Sequence, residues 1–271
     1  MELKAIALLA ALNTLPCAAQ NQSYEPYEGQ PGKDVVWVPT RPALIQTMLD
    51  LAQVSERDFV VDLGSGDGRM VIAAAKRGAR ALGVEYEPAM VALARRNAQA
   101  AGVGERAQFI QGDMFEADFS KATVLALFLL PANLRRLSPK FLELAPGTRI
   151  VSNTYRIEGW DEETYSELGG ECLSWCTALL YLVPAKVDGV WRLPTGELYL
   201  TQDVQRVNGT FIGGGRKSSV IGRLSGDRIR FTVAGVGEYT GRVHGAEMSG
   251  EAKGSYSGWW KASRVKSGSE P

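Results

Sequence analysis

The stretch "VVDLGSGDGRM", residues 60–70, constrains the fold more than any other part of the chain. Its apolar start is typical of a buried strand, and the residues after Gly68 have the composition of a helix. Three glycines stand within the five residues 64–68. Because an interior glycine costs roughly 0.5–1 kcal/mol relative to alanine, these glycines indicate a sharp turn or a close contact with a ligand.

The same change from strand to helix recurs along the first half of the chain. We predict strands at residues 59–63, 81–85, 107–111, 123–130 and 149–153, and helices at 69–77, 88–101 and 133–144. Strands that are apolar throughout and alternate with helices form parallel sheets covered on both faces. The predicted fold of this half is α/β, a doubly wound, mainly parallel, Rossmann-like sheet of seven strands.

The character of the sequence changes after Pro184. Residues 189–265 are rich in glycine, lack a helical period and contain short alternating runs separated by turn signals, such as Asn208-Gly209, Gly226-Asp227 and a turn near Gly245. The pattern predicts a small antiparallel all-β domain, a meander or a barrel, over residues 185–265. Exposed strand edges of this domain are expected to dock an extended segment of a partner protein.

The N-terminus has the layout of a secretory signal peptide over residues 1–19, with a charged start, an apolar stretch and small residues before Gln20. Because this stretch is too short to span a bilayer, we expect an exported chain, periplasmic or secreted, without an integral membrane segment. A cytoplasmic chain is the alternative if the leader does not function. Residues 20–35 are expected to form an irregular arm, and residues 266–271 a disordered tail.

The spacing and charge of the glycine loop distinguish between nucleotide-like ligands. Gly64, Gly66 and Gly68 are evenly spaced by two, whereas the third glycine of the dinucleotide fingerprint follows the second by three. Asp62 and Asp67 add carboxylates, which disfavour a pyrophosphate and favour a cation. We therefore expect a sulfonium cofactor with an amino-acid tail rather than NAD.

Two further carboxylates follow the next two predicted strands. Glu85 ends the second strand, a position from which an acid can accept hydrogen bonds from both ribose hydroxyls. Asp113 follows the third strand and could accept a hydrogen bond from an adenine amino group, with Met114 packed on the ring. Ligands bind at the carboxyl ends of the strands in such sheets, so these side chains predict one nucleoside site.

The segments "VVDLGSGDGR", "GVEYEP" and "FIQGDMF", in this order and spacing, resemble the class I S-adenosylmethionine-dependent methyltransferases over residues 36–184. The resemblance implies that S-adenosyl-L-methionine is the cofactor and that the chain is a methyltransferase. The residues expected to bind the cofactor are Asp62, Gly64, Ser65, Gly66, Glu85, Asp113, Met114 and Thr40.

A narrower resemblance covers the segments on either side of the glycine loop. "VWVPTRPALIQTMLDLA" and "LALFLLPANLRRLSPKFLELAPGTRIVSNTY" are similar to the protein-lysine methyltransferases that include the ATP synthase c-subunit enzymes and their bacterial relatives. This resemblance implies that Val38-Pro39-Thr40 lies over the cofactor and that Leu129-Leu130-Pro131 walls the substrate channel. The chain departs from the family in Trp37, where a tyrosine is expected, and in its C-terminal β domain.

The expected acceptor is a lysine amine in a protein. Leu129-Leu130-Pro131-Ala132 stands where enzymes that methylate amides or exocyclic amines carry an Asp/Asn-Pro-Pro-aromatic segment. A small-molecule acceptor, or a non-catalytic S-adenosylmethionine-binding protein, remains an alternative. No catalytic residue is assigned, and the candidates to line an acceptor channel are Trp37, Tyr86, Asn153 and Tyr155.

Charge and cysteine content limit the other partners. The 30 Lys and Arg residues balance 30 Asp and Glu residues, so no nucleic-acid surface is predicted. Cys172 and Cys176 would lie about 13 Å apart on a strand, too far for a disulfide. We predict buried free thiols, with a disulfide only if the segment between them turns. The cysteine spacing without a nearby histidine predicts no metal site, and His244 is expected at the surface.

Overall fold

The computed structural model describes residues 24–170, 172–255 and 257–265. The predicted signal peptide and the predicted tail lie outside the described residues. In the part of the arm that is described, the backbone of Pro31 and Val36 forms an isolated β-bridge. Within the described ranges, no helix combines the length and apolar character needed to cross a membrane.

The first half of the chain folds around one sheet of seven strands. Its elements are, in chain order, α1 (Pro42–Leu51), β1 (Phe59–Leu63), α2 (Arg69–Lys76), β2 (Arg80–Glu85), α3 (Pro88–Ala100), β3 (Ala107–Gln111), β4 (Val124–Leu127), α4 (Pro131–Phe141), β5 (Arg149–Asn153), β6 (Thr164–Glu167) and β7 (Thr177–Leu182). The strand order is β3-β2-β1-β4-β5-β7-β6. Strands β1 to β5 pair in parallel, whereas β7 is antiparallel to both β5 and β6. The predicted doubly wound, mainly parallel sheet is confirmed.

Alternate side chains of β1, β4, β5 and β7 enter two separate cores. In β1, Val60 packs with α1, α2 and α3 on one face, and Val61 packs with α4 on the other. The chain order reverses at β1, which has β2 on one side and β4 on the other. Such a reversal opens a crevice at the carboxyl ends of the strands, and this is where ligands bind in open α/β sheets.

Strand β4 is shorter than predicted. It ends at Leu127, whereas the apolar run predicted a strand to residue 130. Pro131 occupies the first turn of α4, and the residue before it, Leu130, has the extended backbone that a following proline imposes. The prediction was wrong here because the last apolar residues lead into a helix rather than extending the sheet.

The second half forms a closed antiparallel barrel of eight strands. These are β8 (Gly189–Leu193), β9 (Gly196–Asp203), β10 (Arg206–Gly213), β11 (Arg216–Ser225), β12 (Arg228–Val233), β13 (Gly237–His244), β14 (Glu247–Gly254) and β15 (Gly258–Arg264). Buried side chains alternate along the strands, and the rings of Phe231 and Tyr239 stack 4.8 Å apart in the interior. The predicted all-β domain is confirmed as a barrel.

Two expectations about the barrel were wrong. The turns at Gly226-Asp227 and Gly245 form as predicted, but Asn208 and Gly209 lie inside β10. A Cβ atom on Gly209 would lie 2.1 Å from the carbonyl oxygen of Tyr199, so this glycine allows close strand packing rather than a turn. The pairings of β9 with β10 and of β15 with β8 close the barrel, and closure removes the exposed edges expected to dock a partner.

The barrel is joined to the sheet by polar contacts at Asp161, which precedes β6. Its carboxylate pairs with Arg206 at 2.6 Å and with Arg223 at 2.8 Å, and its backbone carbonyl accepts a hydrogen bond from the Gln205 amide. Ser225 also donates to Glu163 at 3.0 Å. These contacts attach β10 and β11 of the barrel to the segment that leads into β6, the edge strand of the sheet.

Candidate active site

A cavity of about 410 Å³ lies at the carboxyl ends of β1, β2 and β4. The glycine loop lines it, and so do residues 30–40, which include the end of the predicted arm and are called the arm from here on. Polar and apolar side chains both line it, as is usual for sites that bind small organic ligands. Its volume lies within the range of about 300–1,000 Å³ found for such sites.

The glycine loop is fixed to β2 through its backbone. The N–H groups of Gly64 and Ser65 donate to the carbonyl oxygen of Val84 at 2.8 and 3.1 Å. Gly66 has φ +53, a left-handed conformation, and a Cβ atom there would lie 2.6 Å from Nε1 of Trp37. The glycines therefore provide the sharp turn that the sequence predicted, and Gly66 also allows the Trp37 ring to approach the loop closely.

Asp62, near the end of β1, is the buried carboxyl group of the site. Its side chain lies in the cavity wall and is buried. Burial, with smaller contributions from the nearby carboxylates of Glu85 and Asp67, raises the pKa of Asp62 to about 8. A cationic group in the cavity would favour the ionised form of this carboxyl.

Asp67, the second acid of the loop, has a different role. It forms a bidentate ion pair with Arg69, with nitrogen–oxygen distances of 2.9 and 2.7 Å. Arg69 also donates to the carbonyl oxygen of Thr40 at 3.2 Å, which ties the arm to the loop. Asp62 is therefore the loop carboxylate left to interact with a cation among the described residues.

Glu85 accepts two backbone hydrogen bonds at the end of β2. Gly66 N–H donates to Oε2 at 2.9 Å, and Glu87 N–H donates to Oε1 at 3.0 Å. Each carboxylate oxygen can accept a further hydrogen bond. The side chain is partly exposed and lines the cavity, so it has the placement expected of a ribose-binding acid.

Asp113 and Met114 also line the cavity, beyond the end of β3. Phe115 N–H donates to Oδ1 of Asp113 at 2.9 Å, and Lys33 of the arm forms an ion pair with Oδ2. The hydrogen bond from Lys33 is the main reason that the pKa of Asp113 is lowered. The ammonium of Lys33 also lies 4.7 Å from the ring centre of Tyr86.

The predicted channel residues separate into two groups. Trp37 and Tyr86 line the cavity. Asn153 is fully buried behind the arm and donates to Oγ1 of Thr40 at 3.4 Å. Tyr155 lies behind Phe128, a cavity residue, with ring centroids 6.3 Å apart.

The residues after β4, which were predicted to wall the substrate channel, also differ in their placement. Leu129 is buried and packs near Gly64, Leu130 is 42% exposed, and Pro131 begins α4. Sequence reasoning missed Phe128 because it was included in the predicted strand. It also missed Lys33, since nothing local connects this lysine to an aspartate 80 positions away.

The prediction of free buried thiols was wrong. Cys172 and Cys176 form a disulfide with a Cα–Cα distance of 5.9 Å, and both residues are partly exposed. The two cysteines do not lie on a strand: the chain turns between β6 and β7, and Trp175 has φ +54. The turn brings the cysteines within the normal distance for a disulfide.

The residues present fit S-adenosylmethionine. Asp62 suits an ammonium, Glu85 has acceptor capacity for ribose hydroxyls, and Met114 offers an apolar surface. The Ser65 hydroxyl is buried and has no hydrogen-bond partner among the described residues. An unpaired buried hydroxyl costs about 1–3 kcal/mol, and a polar ligand can remove that cost.

Comparison with known proteins gives three consistent matches. The family model of the ANTKMT methyltransferase domain matches residues 62–164. A protein-lysine N-methyltransferase of Saccharolobus islandicus is 44% identical over 130 residues, 47% of this chain and 81% of that protein. An ATP synthase c-subunit lysine N-methyltransferase of Xenopus laevis is 28% identical over 172 residues, 63% of this chain and 68% of that protein.

A solved structure adds a fourth match. An RNA methyltransferase from Salinibacter ruber in complex with S-adenosyl-L-homocysteine is 43% identical, with a TM-score of 0.52. The match covers 55% of this chain and 96% of the Salinibacter ruber chain. The glycine loop, Glu85 and Asp113 lie within the family match, whereas the barrel strands lie beyond it.

Proposed function

The chain belongs to the S-adenosylmethionine-dependent protein-lysine N-methyltransferase family, and on this premise we propose that it methylates the side-chain amine of lysine in a protein. The observation that carries the proposal is the joint placement of Asp62 and Glu85 around one cavity that the apolar side chains of Leu127 and Phe128 also line. The names of the Saccharolobus islandicus and Xenopus laevis relatives support lysine as the acceptor.

In this proposal each cavity residue binds one part of the cofactor. The Asp62 carboxylate holds the ammonium of the amino-acid tail, and Glu85 accepts hydrogen bonds from the ribose hydroxyls. Asp113 and Met114 contact the adenine, and the arm, including Thr40, lies over the cofactor. S-adenosylmethionine supplies an activated methyl group, so the protein mainly positions the reactants and excludes water.

The acceptor amine must be neutral to attack. A free lysine has a pKa of about 10.4, so most of it is protonated at neutral pH. An apolar environment disfavours the charged form, and Leu127 and Phe128 supply apolar surface to this side of the cavity. No acid–base residue is required beyond this, because water can take the proton before the amine enters.

An RNA acceptor is the second candidate, because the Salinibacter ruber protein is an RNA methyltransferase. The balanced charge and the Leu129-Leu130-Pro131-Ala132 segment favour lysine instead. The remaining candidates are a small-molecule acceptor and a protein that binds S-adenosylmethionine without turnover. All of these candidates predict cofactor binding. They differ in whether a methyl group is transferred and in which molecule receives it.

The test is incubation of the full chain with methyl-labelled S-adenosylmethionine and an extract of its own cells, followed by separation of protein, RNA and small molecules. We expect label in protein, lost when lysines are blocked chemically beforehand. A Glu85→Ala chain is the matched control and should leave the extract unlabelled. Label in RNA or in the small-molecule fraction would contradict the proposal.

We further propose that the chain acts in an oxidising compartment, as the predicted leader suggested. The Cys172–Cys176 disulfide supports this, because such bonds persist mainly in exported proteins. S-adenosylmethionine is made inside cells, so export would separate the enzyme from its supply. Cell fractionation with rapid thiol alkylation tests this: we expect an oxidised pair in the exported fraction, and free thiols in the cytoplasm would contradict the proposal.

A further inference from the structure

The aromatic ring of Phe128 marks one side of the cavity, directly after β4. Two more rings contact it from outside the cavity. Tyr155 is stacked on it, with centroids 6.3 Å apart and planes 20° apart, and Trp175 meets it edge-on at 6.0 Å. All three residues are partly exposed. They form a cluster, Phe128, Tyr155 and Trp175, which we refer to as the aromatic cluster.

The aromatic cluster comes from three separate segments of the chain. Phe128 follows β4, Tyr155 follows β5, and Trp175 precedes β7. Tyr155 packs partly against the core on the α4 face of the sheet, but none of the three rings is fully buried, so each keeps some accessible surface. Partly exposed aromatic rings beside a cavity suit an alkyl chain that ends in a cation.

The backbone on both sides of the cluster is held in an unfavourable conformation. Thr154 has φ +62 and Trp175 has φ +54, values that β-branched and bulky residues rarely adopt. Thr154 N–H donates to the carbonyl oxygen of Thr177 at 2.7 Å, which connects the two loops. Residues in such conformations persist where the surrounding structure holds them, and they concentrate at functional sites.

The disulfide closes the loop that carries Trp175. Cys172 and Cys176 are four positions apart, and β7 begins at Thr177, the next residue. The Cys176 end of the loop is therefore anchored in the sheet through β7, and the disulfide bonds the Cys172 end to Cys176. This limits the positions that the Trp175 ring can take and keeps it against Phe128.

We propose that the aromatic cluster forms the acceptor side of the methyl-transfer site and that the disulfide positions Trp175 within it. The cluster contacts the alkyl part of the acceptor lysine and, after transfer, its methylated ammonium. The inference rests on the proposed function, because it takes lysine as the acceptor. The Trp175 loop lies beyond residues 62–164, the part that matches the family model.

The test compares four forms of the full chain on the same labelled protein acceptor: wild type, Trp175→Ala, Trp175→Phe and the double variant Cys172→Ser/Cys176→Ser. Calorimetry gives the Kd for S-adenosylmethionine in each, which also reports correct folding of the cofactor site. Trp259→Ala is the control for loss of an exposed tryptophan, since this residue is 66% exposed on the barrel.

We expect Trp175→Ala to raise KM for the acceptor about five- to thirtyfold, the range of a cation–π contact, while Kd for the cofactor changes less than about twofold. Trp175→Phe should retain most of the activity. The double cysteine variant should also raise KM for the acceptor. Treating wild type with a reductant should give the same KM as the double cysteine variant. Trp175→Ala should not respond to the reductant.

A second readout does not depend on turnover. Titration with Nα-acetyl-trimethyllysine methylamide should quench the tryptophan fluorescence of wild type, and the quenching should fall in Trp175→Phe to the part that Trp37, which lines the cavity, contributes. Unchanged KM in both the Trp175→Ala and the double cysteine variants would overturn the inference, as would a parallel loss of cofactor binding. If wild type labels no protein lysine, the proposed function itself fails; if wild type labels lysine and the variants match it, only this inference fails.

Discussion

Gly66 and Glu85 are joined by a hydrogen bond of 2.9 Å from the backbone N–H of the glycine to the carboxylate of the glutamate. The glycine loop after β1 and the end of β2 are therefore held together by the same acid that is placed to accept ribose hydroxyls. Glu85 thus helps to shape the loop before a ligand arrives, and a pre-organised acceptor binds with a smaller entropic cost.

Replacing Glu85 should weaken the binding of S-adenosylmethionine. Glu85→Ala removes the acceptor of two backbone N–H groups and of the ribose hydroxyls, and hydrogen bonds to a charged group contribute about 1.5–3 kcal/mol. We expect at least about a tenfold rise in Kd by calorimetry. Glu85→Gln keeps the side-chain size and one acceptor oxygen, so its Kd should lie between those of wild type and Glu85→Ala. Equal affinity in all three proteins would contradict the assignment.

Replacing Asp62 by Asn should affect stability and binding in opposite directions. The folded pKa of about 8 exceeds the unfolded value of about 3.9, so the folded state holds more protons between these values. The free energy of unfolding therefore falls as pH rises from about 4 to about 8. Asp62→Asn removes this cost, so ligand-free Asp62→Asn should melt higher than wild type at pH 8, with the difference shrinking as pH falls and vanishing near pH 4.

Binding should show the reverse dependence. A cationic tail is held by the ionised Asp62, so the wild-type affinity for S-adenosylmethionine should rise by up to about tenfold per pH unit between pH 6 and 8. Asp62→Asn should bind more weakly at pH 8 and show a flat profile over this range. Calorimetry across the range tests both statements. A variant that melts lower than wild type at pH 8 would show that Asp62 stabilises the empty fold.

Gly66→Ala should lose binding beyond what backbone strain explains. Both Gly66 and Gly102 have positive φ, at +53 and +70, and an alanine pays about 1–2 kcal/mol in such a conformation. At Gly102 a Cβ atom meets nothing within 4 Å, whereas at Gly66 it meets Trp37 at 2.6 Å. Gly102→Ala should therefore lower the melting temperature and retain the wild-type Kd. If the two variants bind equally well, the contact between the loop and Trp37 does not matter for the cofactor.

The junction at Asp161 should contribute stability that depends on pH. Its hydrogen bond with Arg206 is the main cause of its lowered pKa, so the contribution is present above the unfolded value of about 3.9 and is lost as pH falls through the folded value. Since these side chains are partly exposed, Asp161→Asn should cost only about 0.5–1 kcal/mol at pH 7. Denaturant titrations at pH 7 and pH 3 measure it, with Glu158→Gln as a control for a more exposed pair. A loss of the same size at both pH values would exclude the ion pair as its cause.

Local patterns in the sequence were sufficient to predict the sheet and the glycine loop. The run from Val60 to Met70 specifies strand, turn and helix with neighbouring residues only, and the structure has β1 and α2 where they were predicted. Glu85 and Asp113 could be placed because parallel strands bring their carboxyl ends to one edge. All of these inferences depend on periodicity and on the position of each acid relative to its own strand.

The contacts that were missed depend on the tertiary fold. Lys33 meets Asp113 because the arm folds back over the cavity, and no local signal specifies this. Cys172 and Cys176 can bond because the chain turns between them, with Trp175 in a left-handed conformation, whereas the prediction of free thiols took the segment as an extended strand. Gly209 was mistaken for a turn residue because close packing between strands and a tight turn both require glycine.

The most direct test of the account identifies the atom that receives the methyl group. Protein labelled by the full chain with methyl-labelled S-adenosylmethionine is hydrolysed to amino acids and separated by chromatography against methylated standards. The account predicts that the label elutes as Nε-methylated lysine and is absent when the Glu85→Ala chain replaces wild type. Label in another methylated amino acid, or no labelled amino acid from a chain that binds the cofactor, would contradict it.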